Sequence, residues 1–353
     1  QEVNYTIEAT LIDKQHVLEA QMTIEYINNS PDELSTLIFH LWPNAYQNAN
    51  TAFAQQKVNT NNADFYFADA EDWGGFLDVQ FTQGETALTY ESLDGQVDIV
   101  TLTLDEPIPA GGRTELKIDF VLDVPSSFSR LGHVGDSYQM TQWYPKPAVY
   151  DRDGWHPMPY LDQGEFYSEF GDFDVKITLP ENYVVGASGQ LQTKSEKAFL
   201  KDKMASTAEH LELVQANIKN GTYTDRLMVA IPSAEEMKTI HYIAEDVHDF
   251  AWFADKAFYV VGDVITLDSG KEVETYVMFT EKEADLWKDA ITYVNRSVKF
   301  YSDKVGEYPW PHATAVQSAL SAGAGMEYPM ITVIGLSGNA KSLDRVITHE
   351  VGH

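Results

Sequence analysis

A short pattern of two histidines and a glutamate constrains the fold of this chain more than any other sequence feature. The last five of its 353 residues read His349-Glu350-Val351-Gly352-His353. On an α-helix, positions i and i+4 share one face, so both imidazoles can point at one zinc ion. Glu350 lies beside them, where it can act as general base on a zinc-activated water. The motif therefore predicts a helix that lines a hydrolytic zinc site.

The residues before this motif support a helix with one buried face. Leu343, Val346 and Ile347 recur at helical spacing. Ser342 precedes them and is expected to cap the helix N-terminus. This amphipathic pattern disfavours the alternative, an exposed surface helix on which two histidines happen to be four residues apart.

Composition restricts the fold and the partners. A chain of 353 residues exceeds one ordinary hydrophobic core, which favours two domains. The formal net charge of −30 would repel nucleic acid and anionic membranes, so neither is expected as a partner. No apolar run approaches the length of a membrane span, so membrane insertion is not expected either. The absence of cysteine excludes a disulfide framework and a thiolate zinc site.

Alternation of apolar and polar residues predicts that the N-terminal part is β-sheet. From Val17 to Tyr26 every second residue is apolar, as in a strand with one buried face. Similar patterns, separated by turn residues, predict strands at Asp98–Leu104, Leu116–Leu122, Phe173–Leu179 and Arg226–Ile231. Many short strands of this kind indicate a β-sandwich or a large twisted sheet.

The pattern changes after about Tyr242. Segments Ala244–Ala257 and Glu281–Val305 have helical character, the second with an apolar stripe that includes Phe300. Strand-like segments at Glu272–Phe279 and Met330–Ile334 alternate with them. The C-terminal part is therefore predicted to mix α and β structure.

A second motif precedes the zinc helix by about two dozen residues. It reads Ser321-Ala322-Gly323-Ala324-Gly325-Met326-Glu327-Tyr328-Pro329. Its glycines allow a ligand to approach the backbone closely, and Glu327 offers a carboxylate beside a metal cleft. Gly-rich loops that lead into strands are common, so the segment gains weight because it points to the same site as the histidine motif.

Together the two motifs resemble the aminopeptidase N family of gluzincin zinc metallopeptidases, which carries G-x-M-E-N shortly before H-E-x-x-H. Tyr328 stands here in place of the usual Asn, and Ala324 in place of the first Gly. The resemblance continues through residues 341–348, and residues 244–252 look like the junction between domains of that family. Residues 39–46 resemble secreted bacterial members, so a secreted, periplasmic or cell-surface location with a removed signal peptide is expected.

The resemblance implies roles for individual residues. His349 and His353 would bind Zn²⁺, and Glu350 would polarise the attacking water and pass its proton to the leaving amine. Glu327 would hold the free α-amine of a peptide substrate, so that one N-terminal residue is removed at a time. The remaining substrate-binding positions implied by the resemblance are Gly325, Ala324 and Met326, with Gln142 of the N-terminal domain near the amine and first-residue pocket.

The resemblance also implies a multi-domain fold of β plus α/β structure. A twisted antiparallel β-saddle or sandwich domain is expected over residues 1–250, followed over residues 251–353 by the first part of a thermolysin-like catalytic domain. The third zinc ligand of the family, a Glu on the next helix, and its oxyanion-stabilising Tyr would both lie beyond His353. We therefore expect a chain truncated at the zinc helix and inactive as given, since loss of an oxyanion donor alone costs roughly 10²–10³ in rate.

Two alternatives to a zinc aminopeptidase stay open at the sequence level. A zinc endopeptidase is one, because Tyr328 would alter the floor of the amine pocket. A non-catalytic peptide-binding or scaffold relative is the other. Retention of His349, Glu350, His353 and Glu327 together argues against the second, since a relative without a metal would be expected to lose at least one.

Overall fold

A computed structural model of the chain describes residues 1–221, 230–318 and 325–353. Contacts divide these residues into two compact units. The first unit comprises Gln1–Gly135, Met140–Leu179 and His241–Phe250, and the second comprises Asp136–Gln139, Pro180–Ile240 and Ala251–His353. The division into domains 1–250 and 251–353 stays a prediction. Part of the chain before residue 250 belongs to the second unit.

The described residues form a mostly β structure with few helices. The strands are β1 Glu2–Ile12, β2 Val17–Ile27, β3 Leu34–His40, β4 Gly75–Gln83, β5 Thr86–Leu88, β6 Tyr90–Ser92, β7 Ile99–Ile108, β8 Arg113–Asp123, β9 Gly132–Val134, β10 Ser137–Met140, β11 Lys146–Pro147, β12 Val149–Asp151, β13 Gly154–His156, β14 Gly171–Pro180, β15 Val184–Ala187, β16 Gln190–Leu191, β17 Met237–Val247, β18 Trp252–Asp255, β19 Tyr259–Thr266, β20 Glu272–Phe279, β21 His312–Gln317, β22 Gly325–Tyr328 and β23 Ile331–Ile334. The α-helices are α1 Ala52–Asn59, α2 Lys194–Lys219, α3 Ala284–Trp287, α4 Ala290–Lys304 and α5 Ala340–Glu350, with 3₁₀ turns at Trp42–Tyr46, Ala70–Asp72 and Glu281–Glu283.

The first unit contains a large sheet in which β17, β14, β1, β2, β8, β4 and β5 lie side by side in that order. Strand β2 pairs antiparallel with both β1 and β8, and β1 pairs parallel with β14. Alternate residues of β2 are buried, as its sequence pattern predicts. The predicted strands at Asp98–Leu104, Leu116–Leu122 and Phe173–Leu179 are confirmed as parts of β7, β8 and β14. The unit also contains a four-stranded sheet with the order β11-β3-β7-β6 and the two-stranded sheet β12-β13.

The predicted helix at Ala244–Ala257 is wrong, because this segment is extended. Its first part continues β17 as far as Val247, and its second part forms β18. Strand β18 pairs antiparallel with Val184–Ala187. Helix propensity depends on the residues of one segment and does not include pairing with a distant strand. Between the two strands Asp249 is buried and accepts several hydrogen bonds. Tertiary pairing therefore overrides the local preference.

The second unit is built around a five-stranded sheet with the order β19-β20-β21-β23-β22. The pairs β20–β21 and β21–β23 are parallel, whereas β19 and β22 pair antiparallel at the two edges. On one face of the sheet, Val277 of β20 is buried in a core with Trp287 of α3, Val294 of α4 and Ile347 of α5. On the other face, residues of α2, β15 and β18 pack against the sheet. The predicted strands at Glu272–Phe279 and Met330–Ile334 are confirmed as β20 and β23.

The predicted helix at Glu281–Val305 is correct in its C-terminal part and interrupted before it. A 3₁₀ turn and the short helix α3 precede α4. Phe300 is exposed, and Val294 and Val298 occupy the buried face instead. The predicted strand at Arg226–Ile231 lies largely outside the described residues. Among the helices of the described ranges, none has the length and apolar character needed to cross a membrane.

Candidate metal centre

The histidine motif was predicted to lie on a helix, and α5 contains only its first two residues, His349 and Glu350; Val351 is the C-cap, and His353 follows the helix end. Leu343, Ile347 and Glu350 form the buried face of α5, whereas His349 and His353 are exposed. The predicted cap is wrong: the side chain of Asn339, not of Ser342, caps the helix by accepting a hydrogen bond from the Ser342 N–H at 2.9 Å. Asn339 is the residue with extended backbone before the first helical turn, which is the position where a side-chain oxygen reaches the free N–H groups.

The two imidazoles of the motif have the spacing of a metal-binding pair. Their Nε2 atoms lie 3.2 Å apart, and the ring planes are nearly perpendicular, at 85°. Two nitrogens bound to one tetrahedral zinc at 2.0–2.1 Å are expected to lie about 3.3–3.4 Å apart. Imidazole nitrogens with nearby carboxylates are also donors that zinc accepts. The residues present therefore fit a zinc ion.

The second motif forms the edge strand next to this helix. Strand β22 pairs antiparallel with β23, and Thr332 lies opposite Glu327. The two-residue turn between them is Pro329-Met330, and Met330 has a positive φ of 64°. Proline followed by a residue with positive φ is the φ pattern of a type II turn. This hairpin holds the carboxylate of Glu327 at the sheet edge beside α5.

Strand alternation separates the residues of the second motif. Gly325 and Glu327 face α5, whereas Met326 and Tyr328 pack with the core on the opposite face of the sheet. The Tyr328 ring is buried and lies near that of Phe253, with ring centroids 6.3 Å apart. Tyr328, which stands where the family pattern has Asn, therefore points away from the carboxylate of Glu327.

Gly325 leaves the space that the carboxylate of Glu350 occupies. A Cβ atom at this position would lie 2.6 Å from Cγ of Glu350 and 2.7 Å from both Cδ and Oε1. Real Cβ atoms do not approach so closely, so any side chain here would displace Glu350. The glycine was predicted to contact a peptide through its backbone. This steric role was not visible in the sequence, because it depends on packing between residues 25 positions apart.

Three side chains converge at the junction of β22 and α5. Ligand atoms of Glu327, Glu350 and His353 lie within 4.8 Å of one another. Glu350 is 7% exposed, while Oε1 of Glu327 is 3.9 Å from Nδ1 of His353. Two carboxylates this close repel each other unless a cation or a proton lies nearby. Together with His349, they make a compact set of nitrogen and oxygen donors.

The remaining predicted substrate-binding residues, Ala324 and Gln142, are not tested by the geometry of this cluster. Ala324 lies outside the described residues. Gln142 belongs to the first unit, where its backbone has a positive φ of 49° and its side chain donates a hydrogen bond to Asp249 at 3.0 Å. A substrate-binding role stays a prediction for both residues.

A hydrogen-bond network supports the segments that lead into the site. Glu283 accepts hydrogen bonds from Gln317 at 3.1 Å, from the backbone of Ser337 at 3.0 Å and from Trp287 at 3.2 Å. Gln317 in turn accepts from the backbone of Thr280 at 2.7 Å. Gln317 ends β21, and Ser337 precedes α5. This network was not predicted, because in the sequence Glu283 looks like an ordinary charged residue at a helix start.

A second close packing, at Gly352, was also missed. A Cβ atom at Gly352 would lie 2.5–2.6 Å from the ring and hydroxyl of Tyr301 on α4. Nearby, Oγ of Ser297 lies 3.0 Å from Oγ1 of Thr348, the residue before the first histidine of the motif. The motif helix is therefore packed closely along α4. In the sequence, the glycine at position 352 inside the motif was the only sign of this close packing.

Comparison with known proteins supports the fold. Neither a protein-family model nor a curated protein sequence matches this chain. The M1 zinc metallopeptidase from Deinococcus radiodurans is similar in structure, with a TM-score of 0.54 and 13% sequence identity, over 99% of this chain and 63% of that one. A two-domain M1 zinc metallopeptidase mutant bound to L-arginine gives a TM-score of 0.55 at 12% identity, with coverage of 99% and 64%.

A mutant of the Deinococcus radiodurans enzyme bound to a Tyr-Ser-Ala substrate is similar to the same degree, with a TM-score of 0.54, 12% identity and coverage of 99% and 64%. The chain thus spans about 64% of the length of the solved structures it matches. Its sheets and helices match the N-terminal β domain and the beginning of the catalytic domain of M1 peptidases. At this level of identity the similarity establishes the fold and no more.

Proposed function

We propose that the protein is a zinc-dependent aminopeptidase that removes residues one at a time from the N-terminus of peptides. The observation that carries this proposal is the convergence of Glu327, Glu350 and His353 within 4.8 Å, at the end of a helix that also presents His349. One carboxylate is buried beside the proposed metal position and the other lies on the sheet edge. These places suit a general base and an amine-binding group, respectively.

In this proposal His349 and His353 hold the metal. A bound zinc ion would supply Lewis-acid polarisation of the scissile carbonyl and of the attacking water. Glu350 takes the proton from that water and delivers it to the leaving amine. Its burial suits this role, since the carboxylate is screened from bulk solvent. The network around Glu283 helps to keep α5 in place.

The edge strand β22 would bind the substrate. An extended peptide can add to a sheet edge through main-chain hydrogen bonds, with its side chains directed alternately to the two sides. Gly325 and Ala324 would provide backbone contacts in this arrangement, next to Met326. Glu327 would bind the free α-ammonium group by a charge-assisted hydrogen bond, and this contact would fix the register at the first peptide bond.

The finer parts of the proposal rest on the family resemblance. Gln142 would contribute to the pocket of the first residue, and a secreted or cell-surface location follows from the resemblance of residues 39–46. The resemblance places a third zinc ligand and an oxyanion-stabilising Tyr beyond His353. Activity is therefore proposed for a protein that supplies both.

Hydrolysis of a leucyl chromogenic amide and of its N-acetylated twin tests the proposal. The assay compares the 353-residue chain with a chain extended past His353, with and without zinc. We expect zinc-dependent cleavage of the free-amine substrate only, by the extended chain only. In that chain Glu350→Gln should lower kcat by about 10²–10⁴, the usual contribution of general acid–base catalysis.

Other outcomes would favour the alternatives. Cleavage of the N-acetylated amide would assign an endopeptidase, and no cleavage in the presence of bound zinc would favour a peptide-binding module. The sequence argument for an endopeptidase depended on Tyr328. Its burial on the sheet face opposite Glu327 weakens that argument.

A further inference from the structure

The ring of His353 has a different neighbour at each nitrogen. Its Nε2 lies 3.2 Å from Nε2 of His349, so this edge faces the proposed metal position. Its Nδ1 lies 3.9 Å from Oε1 of Glu327, on the side of the ring away from His349. Glu327 is therefore next to a ligand of the proposed metal as well as to the sheet edge where a peptide would bind.

A neutral imidazole carries its proton on only one nitrogen. When Nε2 binds a metal, its lone pair must be free, and the proton must be on Nδ1. Metal-binding histidines usually donate that proton to a carboxylate, carbonyl or water, which fixes the tautomer and the orientation of the ring. In the described part of the chain, the carboxylate of Glu327 lies within 4 Å of the Nδ1 edge of His353.

The geometry points to a second role for this carboxylate. We propose that Glu327 is a positioning residue of the metal centre, which accepts a hydrogen bond from Nδ1–H of His353 and so directs Nε2 at the metal. The separation of 3.9 Å is an ion-pair distance, and such contacts tighten when a site is loaded. Glu327 is 30% exposed, so its carboxylate has room to move toward the ring.

This inference rests on the metal site proposed above and adds a function to its amine-binding residue. One side chain would then connect peptide recognition with metal binding. Amine recognition alone predicts that the affinity for zinc does not depend on Glu327. A positioning role predicts that it does, in the absence of any substrate.

Zinc affinity tests the inference, measured by competition with a chromophoric chelator on a chain extended past His353, which supplies the third ligand of the proposed site. We expect Glu327→Ala to weaken zinc binding by about 10- to 100-fold, the usual effect of removing such a partner. Glu327→Gln should weaken it less, because the amide oxygen still accepts a hydrogen bond. Glu272→Gln is the matched control, since it removes one charge from an exposed position of β20 and should leave the affinity unchanged.

Nitrogen NMR of the metal-free chain gives a second reading. At pH 8 the wild-type His353 ring should carry its proton on Nδ1, and Glu327→Ala should shift the population toward the other tautomer. Thermal unfolding of the metal-free variants checks that each is folded.

Three outcomes would overturn the inference. Unchanged zinc affinity in both Glu327 variants would leave this residue with amine recognition only. A Co²⁺ spectrum that changes coordination number in Glu327→Ala would make Glu327 a direct ligand instead. Failure of the extended wild-type chain to bind zinc would reject the proposed metal site as well, and this result is distinct from the other two.

Discussion

At the scale of single residues, the most constrained polar group of the first unit is Asp249. It is buried, 3.3 Å from the ammonium of Lys146, and its carboxylate accepts a hydrogen bond from the Tyr144 hydroxyl at 2.7 Å. Burial alone would raise the pKa of Asp249, but the Lys146 ammonium and the Tyr144 hydroxyl outweigh it and hold that pKa below its usual value. The carboxylate is therefore charged and depends on its partners.

Removing the cation should strongly destabilise the fold. Lys146→Met leaves Asp249 as a buried charge without its ion-pair partner, and we expect the free energy of unfolding to fall by about 3–5 kcal/mol. Lys176→Met is the control, because its ion pair with Glu8 is largely exposed to solvent and its loss should change stability far less. Urea unfolding of both variants measures the difference in the free energy of unfolding. Equal losses of stability would contradict the conclusion that the charge of Asp249 depends on Lys146.

The contact between Gly325 and Glu350 predicts a loss of activity. In the extended, active chain, Gly325→Ala forces the carboxylate of Glu350 from its place, and a shift of about 1 Å can cost about 10² in rate. Gly338→Ala is the matched control, since a Cβ atom there meets nothing within 4 Å. Measurement of kcat/KM for both variants tests this. Full activity of Gly325→Ala would show that Glu350 does not need its present position.

At the scale of secondary-structure elements, the motif helix depends on its cap. Asn339→Ala removes the side-chain acceptor for the N–H of Ser342, and we expect a loss of about 1 kcal/mol in the free energy of unfolding. Ser342→Ala should have a much smaller effect, because the Ser342 side chain does not cap the helix. Thermal unfolding distinguishes the two. A larger loss for Ser342→Ala would restore the cap expected from the sequence.

Element boundaries show where local patterns are sufficient and where they are not. Strand β2 was predicted almost to the residue, because period-two alternation reports one buried face directly. The segment Ala244–Ala257 was predicted as a helix from its residue types. Its strands are stabilised by pairing with Val184–Ala187 and by the buried acceptor Asp249, neither of which leaves a local trace.

At the scale of the whole molecule, stability should depend on pH through buried histidine. His312 donates from Nε2 to the carbonyl of Gly189, and burial lowers its pKa to about 4. The folded chain therefore keeps His312 neutral down to about pH 4, whereas the unfolded chain binds a proton below about pH 6.5. The contribution of His312 to stability is fully present above pH 6.5 and is lost as the pH falls toward 4.

This pH dependence is measurable as a difference between two proteins. Between about pH 6.5 and 4, the free energy of unfolding of the wild type should fall by about 1.4 kcal/mol per pH unit more than that of His312→Asn. The asparagine does not titrate, so proton uptake by this side chain is absent from its curve. Urea unfolding at several pH values gives both curves, and parallel curves would show that His312 is protonated equally in the two states.

By itself the sequence determined the features that depend on spacing along the chain. Alternation specified the long strands, helical periodicity specified α5, and the i, i+4 spacing of His349 and His353 predicted that their imidazoles lie close together. The convergence of Glu327 with this pair followed only from resemblance, since spacing does not place two separate motifs together.

Only the tertiary structure decided which residues meet across the sheet and the helix. It brings the carboxylate of Glu350 against Gly325, turns Tyr328 into the core and selects Asn339 as the cap. These outcomes depend on the packing of segments distant in sequence, and close packing allows one arrangement where local propensity allows several. Periodicity predicts which face of an element is buried, but not what that face will contact.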